Sequence, residues 1–115
     1  MERNVLSFGA ALAKGYEPRL YPYDANRIQE GEYEAILDFK IWAKKIMAVG
    51  CYFTLLPAKE KVQLTVYCDK KTGQYKLPKS EIDFTCCPTS NMYKISIGKK
   101  KSGNTYLQNA ALINK

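Results

Sequence analysis

From Tyr33 to Lys45 the chain alternates with the two-residue period of a β-strand. Tyr33, Ala35, Leu37, Phe39, Ile41 and Ala43 form one face, apolar enough to be a core face. Glu34, Ile36, Asp38, Lys40, Trp42 and Lys44 form the other, which is polar but carries the only tryptophan of the chain between two lysines. Further strands follow in order. Over Met47–Leu56, Val49, Cys51, Phe53 and Leu55 share a face, and Gly50 marks a bulge or sharp bend. Lys61–Asp69 sets Val62, Leu64, Val66 and Cys68 inward and Gln63, Thr65, Tyr67 and Asp69 outward. Gln74–Leu77 reads as a short strand before Pro78, and Glu81–Cys87 alternates Ile82, Phe84 and Cys86 against Asp83, Thr85 and Cys87. Met92–Gly98 alternates Tyr93, Ile95 and Ile97 against Lys94 and Ser96. Thr105–Ile113 can be drawn as helix or strand; the compact glycine-bounded turn before it and the Thr105-Tyr106 pair favour a strand.

The first 30 residues lack this regularity. Asn4–Ala13 is apolar and alanine-rich, a short helix or an entry strand, and Pro18 and Pro22 then forbid a regular helix. The result is an extended arm over residues 1–30 whose tyrosines, Tyr16, Tyr21 and Tyr23, pack against the domain or a second subunit. Short strands separated by turn signals give an all-β fold class, a barrel or sandwich, within a single domain of 115 residues.

Composition narrows the chemistry. Hydrophobic content of 46% and 25% charged residues fit a folded chain. The longest uncharged run, Ile46–Ala58, is interrupted by Gly50 and Pro57 and falls short of a membrane helix, and the N-terminus lacks the shape of a signal peptide. A soluble cytoplasmic protein is expected, with no membrane partner. No histidine is present and Cys51, Cys68, Cys86 and Cys87 show no C-x-x-C spacing, so reduced structural thiols are expected and neither a metal nor a cofactor. A histidine-based nucleophilic mechanism is excluded. Asp69, Glu81 and Asp83 read as solvated partners of lysines, and no enzyme signature emerges. Gly98–Thr105, GKKKSGNT, nearly matches a phosphate loop, but Asn104 stands where the essential lysine belongs and too little chain follows for the nucleotide-binding sheet.

The charge is lopsided. Net charge is +7; residues 1–57 hold seven basic and seven acidic side chains, whereas residues 58–115 hold eleven lysines and four acids. A basic surface facing a polyanion is expected. The outward aromatics Trp42, Tyr52, Tyr67 and Tyr106 would form a stacking platform, and Lys40, Lys44, Lys94, Lys99, Lys100 and Lys101 would meet phosphates.

The segments EYEAILDFKIWAKK, KVQLTVYCDKKTGQY and YKISIGKKKSGNTYLQNAALI resemble a small single-stranded DNA-binding protein of the OB-fold type carried by bacteriophages, above all those infecting lactic acid bacteria. The resemblance spans Gly31–Ile113 and implies a five-stranded OB-fold (Greek-key) barrel whose groove and finger loops hold single strands. It implies a first-strand stacking role for Trp42, finger-loop phosphate contacts for Lys99, Lys100 and Lys101, and an aromatic after the finger at Tyr106. It also implies non-catalytic, largely sequence-independent binding of single-stranded DNA in phage replication, recombination or repair, in the host cytoplasm. A homodimer through the tyrosine-rich arm is expected, with phage replication or recombination proteins as partners. The chain ends LINK where bacterial relatives carry an acidic recruiting tail, so recruitment by such a tail is not expected. Two other readings fit the same residues: a small protein-interaction or inhibitor module with a basic face, and an RNA-binding OB domain.

Overall fold

Three consecutive strands and a fourth that returns to lie beside the first define the topology of the computed structural model, which describes residues 5–22, 28–77, 80–103 and 105–113. The strands are β1 (Gly31–Ala43), β2 (Ala48–Leu55), β3 (Glu60–Tyr67), β4 (Asn91–Lys99) and β5 (Thr105–Leu112), all antiparallel, in the order β3-β2-β1-β4-β5. This is a Greek-key arrangement. β1 is central because its 13 residues serve two partners: residues 35–43 pair with β2, and residues 31–37 with β4. The sheet curls until β3 and β5, at its two ends, come into contact, but no hydrogen-bonded ladder joins them among the described residues. Asn4, Tyr23, Pro78, Asn104 and the last two residues of the LINK terminus lie outside the described residues. No helix among the described residues is long and apolar enough to cross a membrane.

The main core follows the alternation closely on three strands. Val49, Cys51, Phe53 and Leu55 of β2, Val62, Leu64 and Val66 of β3, and Tyr93, Ile95 and Ile97 of β4 all face inward and are buried. β5 is a strand, not a helix. Two expectations fail between β3 and β4. Neither Gln74–Leu77 nor Glu81–Cys87 is a strand; Phe84–Cys86 form a turn. Asp83 imposes that turn, its Oδ1 accepting from the Thr85 amide at 2.9 Å and the Thr85 hydroxyl at 2.8 Å. The connection still contributes to the core, burying Phe84 and Cys87, and Ser80 anchors it by donating to the Ala110 carbonyl at 2.7 Å.

β1 departs from simple alternation at Asp38. Leu37 faces Phe53 and Phe39 faces Tyr52, so one residue of β1 has no counterpart on β2. This is a β-bulge, and it inverts every later side chain of the strand. Ala35 and Leu37 belong to the main core, but Phe39 and Ile41 turn to the opposite face, while Lys40 and Trp42 turn inward. The Asp38 carboxylate holds the bulge on the outer side, accepting from Tyr21 Oη at 2.7 Å and Thr54 Oγ1 at 2.6 Å.

β1 parts from β4 after Leu37, and the N-terminal segment takes over the vacated edge. The Leu6 amide donates to the Lys40 carbonyl at 3.0 Å, and the Trp42 amide to the Leu6 carbonyl at 2.9 Å. Ser7 caps α1 (Phe8–Ala13), accepting from the Ala10 amide at 3.1 Å, and a single 3₁₀ turn over Pro18–Leu20 follows. Of the two readings of Asn4–Ala13, the short helix is the one found, whereas Pro18–Leu20 forms a helical turn where an extended stretch was expected. Tyr16 and Tyr21 pack on the same chain. Tyr16 stacks on Phe39, Phe39 stacks on Tyr52, and Tyr21 meets Phe39 and Tyr52 edge-on. These rings, with Ala11 and Ile41, make a second small core on the outer face of β1 and β2.

Burial in the two cores raises the pKa of Tyr21, Tyr52, Tyr93, Cys51 and Cys87 above the ordinary phenol and thiol values, and the Asp38 carboxylate adds to the rise at Tyr21. Each group is neutral when protonated, so the folded chain keeps protons that the unfolded chain releases near pH 9 to 10. Their contribution to stability is complete below that range and is lost progressively as the pH rises above it toward the raised values of the folded chain. The urea midpoint is expected to fall between about pH 8 and about pH 10.5. An unchanged midpoint would show that these groups are not protected by the fold.

Candidate nucleic-acid interface

The seam where β3 and β5 approach without pairing is lined by side chains from four parts of the chain. β3 supplies Thr65 and Tyr67 from its outer face and the edge of Val66; β5 supplies Tyr106, Leu107 and Gln108. Lys76 and Leu77 come from the connection after β3, and Lys100 from the β4–β5 turn. Together they enclose a cleft of about 370 Å³, within the range of small-ligand sites. Val66, Leu107 and Leu77 are its apolar component, Thr65 and Gln108 its neutral polar groups, and two tyrosines and two lysines complete it.

Local structure explains why these side chains meet. Gly98 lies opposite Tyr106 on β4, and a methyl group there would sit 3.1 Å from the Tyr106 ring and 3.2 Å from Gln108 Oε1. The missing side chain at Gly98 is what seats both residues. A second bulge, between Ser96 and Ile97 on the β4–β5 ladder, leaves Gln108 as the extra residue of β5. Tyr67 ends β3 and is 56% exposed, so its ring is accessible. Lys100 Nζ stands 5.6 Å from the Tyr106 ring centroid, where cation and ring attract weakly. Lys76 lies 3.7 Å from Glu81, whose carboxylate is fully solvated and therefore screens it only partly.

Of the ten residues expected to bind nucleic acid, three meet at this cleft: Tyr67, Lys100 and Tyr106. Lys99 and Lys101 are exposed beside Lys100 around the same turn. Lys44 is exposed in the 3₁₀ turn between β1 and β2, alongside Lys45 and the exposed apolar pair Ile46 and Met47. The Cys68 amide donates to the Met47 carbonyl at 3.0 Å, which places that turn next to the Tyr67 end of β3. Lys94 is exposed but stands on β4, paired with Glu32 at 3.2 Å.

Three residues are placed differently from the expectation. Lys40 is fully buried, its Nζ donating to the Cys87 carbonyl at 2.7 Å, and cannot reach a phosphate. Trp42 packs against the main core, edge-on to Tyr75 at 5.3 Å, because the Asp38 bulge turns it inward. Tyr52 does face outward, but it is half-buried in the aromatic cluster, with its ring stacked 4.5 Å from Phe39. The platform of four outward aromatics is thus reduced to Tyr67 and Tyr106. Conversely, Lys76, Gln108 and Thr65 were not among the expected site residues. Thr65 shares the outer face of β3 with Tyr67, a signal present in the alternation; Lys76 and Gln108 depend on an irregular connection and a bulge.

The acids stand apart from any such role. Asp69 accepts from the Lys71 amide at 2.9 Å within its own turn, Asp83 holds the Thr85 turn, and Glu81 faces Lys76. Cys51, Cys68, Cys86 and Cys87 are all thiols. Comparison of the chain with protein-family models, with curated proteins and with solved structures finds no match.

Proposed function

We propose that the protein is a partly open five-stranded OB barrel that binds single-stranded nucleic acid, DNA foremost, across the β3–β5 seam and without catalysing a reaction. One observation carries this reading: Tyr67, Tyr106, Lys76 and Lys100 converge on one apolar-floored cleft. An unpaired base is flat and apolar on its faces and polar at its edges. It would lie against Tyr67 or Tyr106, with Thr65 and Gln108 near its edge and the adjoining phosphates toward Lys76 and Lys100. The exposed lysines of the β1–β2 and β4–β5 turns extend the positive surface beyond the cleft. OB barrels bind oligonucleotides with the sheet face of strands 2 and 3 and with these two turns. Bases already paired in a duplex offer no open face to the tyrosines, so the mode selects unpaired strands. A role in phage DNA replication, recombination or repair belongs to the same proposal.

The test is a fluorescence-anisotropy titration of labelled oligothymidine and of a duplex of equal length at several salt concentrations. Contacts from Lys76, Lys99, Lys100 and Lys101 would give a log–log salt slope near ~−3, at ~0.7 per contact for single strands. The single strand is expected to bind more tightly than the duplex. Equal affinity for both, or no binding at low salt, contradicts the proposal. The same reading includes a homodimer. Tyr16 and Tyr21 are engaged within the chain, which leaves exposed Phe8, Leu12 and Leu20 of the N-terminal segment for that contact. A monomer in sedimentation equilibrium at high concentration would remove it.

A further inference from the structure

The interior of the barrel holds a side chain that neither the fold nor the proposed binding requires. Lys40 is fully buried, and among the described residues no carboxylate pairs with it. A buried lysine is ordinarily matched by an opposite charge. Here Nζ is held at 2.7 Å from the Cys87 carbonyl oxygen and 3.4 Å from Cys87 Sγ. Cys51 lies directly across the β1–β2 ladder from Lys40, facing the same core. An amine nitrogen and a sulfur are therefore fixed at the separation of groups about to react, roughly 3–3.5 Å. They come from two elements far apart in sequence, the central strand and the β3–β4 connection.

We propose that Lys40 and Cys87 form a reversible covalent cross-link when the protein meets a peroxide. In the first step the Cys87 sulfur attacks hydrogen peroxide; an S–O bond forms, the O–O bond breaks, and water leaves with the thiol proton, giving the sulfenic acid. In the second step the Lys40 amine lone pair attacks that sulfur; an S–N bond forms, the S–O bond breaks, and the hydroxide leaves as water with a proton from the nitrogen. The balance is thiol, amine and peroxide to sulfenamide and two waters, the sulfur being oxidised and the peroxide reduced. Burial raises the Cys87 thiol pKa, against the opposing pull of Lys40, so the first step is the slow one. The second is intramolecular between preset atoms. The bond would tie the connection carrying Lys76 and Leu77 to β1.

Folded protein is treated with hydrogen peroxide, remaining thiols are alkylated, and the chain is digested with trypsin. The expected result is loss of cleavage after Lys40 and the appearance of peptide 28–44 joined to peptide 80–94, reversed by dithiothreitol. Cys87→Ser and Lys40→Met should each abolish the joined species, and Cys51→Ala should retain it. Near-ultraviolet circular dichroism verifies that each variant is folded. Normal cleavage after Lys40 with Cys87 recovered as thiol or sulfinic acid overturns the proposal. So does recovery of Cys87 in a disulfide with Cys51 or Cys86.

Discussion

Replacing Phe39 by alanine is expected to lower the stability of the fold by about 3–5 kcal/mol, a large share of the ~5–15 kcal/mol typical of a domain. Phe39 is only 2% exposed and is the middle ring of a three-ring stack, 4.5 Å from both Tyr16 and Tyr52, with Tyr21 edge-on at 5.2 Å. Its removal leaves a cavity and ends all three aromatic contacts, each worth about 0.5–1.5 kcal/mol beyond burial. It also unseats the N-terminal segment, which rests on this ring. Urea denaturation followed by circular dichroism gives the loss. Amide exchange at Leu6 and Trp42, whose hydrogen bonds tie the segment to β1, should accelerate in the variant. A loss below about 1 kcal/mol would mean that the outer cluster contributes little and that the main core alone sustains the sheet.

The pair Tyr67→Ala and Tyr106→Ala should weaken binding of oligothymidine by about 1–3 kcal/mol each, roughly five- to 150-fold, because each removes one base-stacking surface. The loss is expected in affinity and not in salt slope, since neither change touches a cation. Tyr67 is well exposed, so its replacement should hardly alter stability; Tyr106 is half-buried over Gly98 and will cost somewhat more. Tyr52→Ala offers the contrast. It lies in the outer aromatic cluster, so stability should fall while the affinity of the remaining folded protein is preserved. Isothermal titration at fixed salt separates the two behaviours. Equal affinity losses from Tyr52→Ala and Tyr67→Ala would return the site to the β1–β2 face.

Much of the fold was legible because β2, β3 and β4 each keep one apolar face in the main core without interruption. Where alternation misled within the strands themselves, a bulge is the cause each time. The Asp38 bulge spaces the inward Leu37 and the inward Lys40 three positions apart instead of two, and the β5 bulge does the same for Leu107 and Ala110. A spacing of three is also the helical one, which is why the segment after Thr105 resembled a helix as much as a strand. A bulge changes the phase of every later residue, and nothing in the local pattern of apolar and polar residues announces it. Trp42 and Lys40 were consequently assigned to the solvent face. Tyr67 and Tyr106 survived because each lies on a strand where the phase was read correctly up to that position. The Tyr75–Lys76–Leu77 stretch was legible only as an apolar-polar alternation, and its role in the cleft follows from hydrogen bonds that fold the connection back, such as Phe84 N to the Tyr75 carbonyl at 2.9 Å.

The inward turn of Trp42 also changes which probe is informative. Its indole meets Tyr75 and the main core, so its emission would report the cleft only indirectly. The backbone amides are the better reporters. An ¹H–¹⁵N titration of the protein with a short oligothymidine is expected to perturb Thr65, Val66, Tyr67, Lys76, Leu77 and the segments around Lys100 and Tyr106–Gln108, leaving the Tyr16–Phe39–Tyr52 cluster unchanged. Perturbations confined to that cluster, or none anywhere at low salt, would contradict the account.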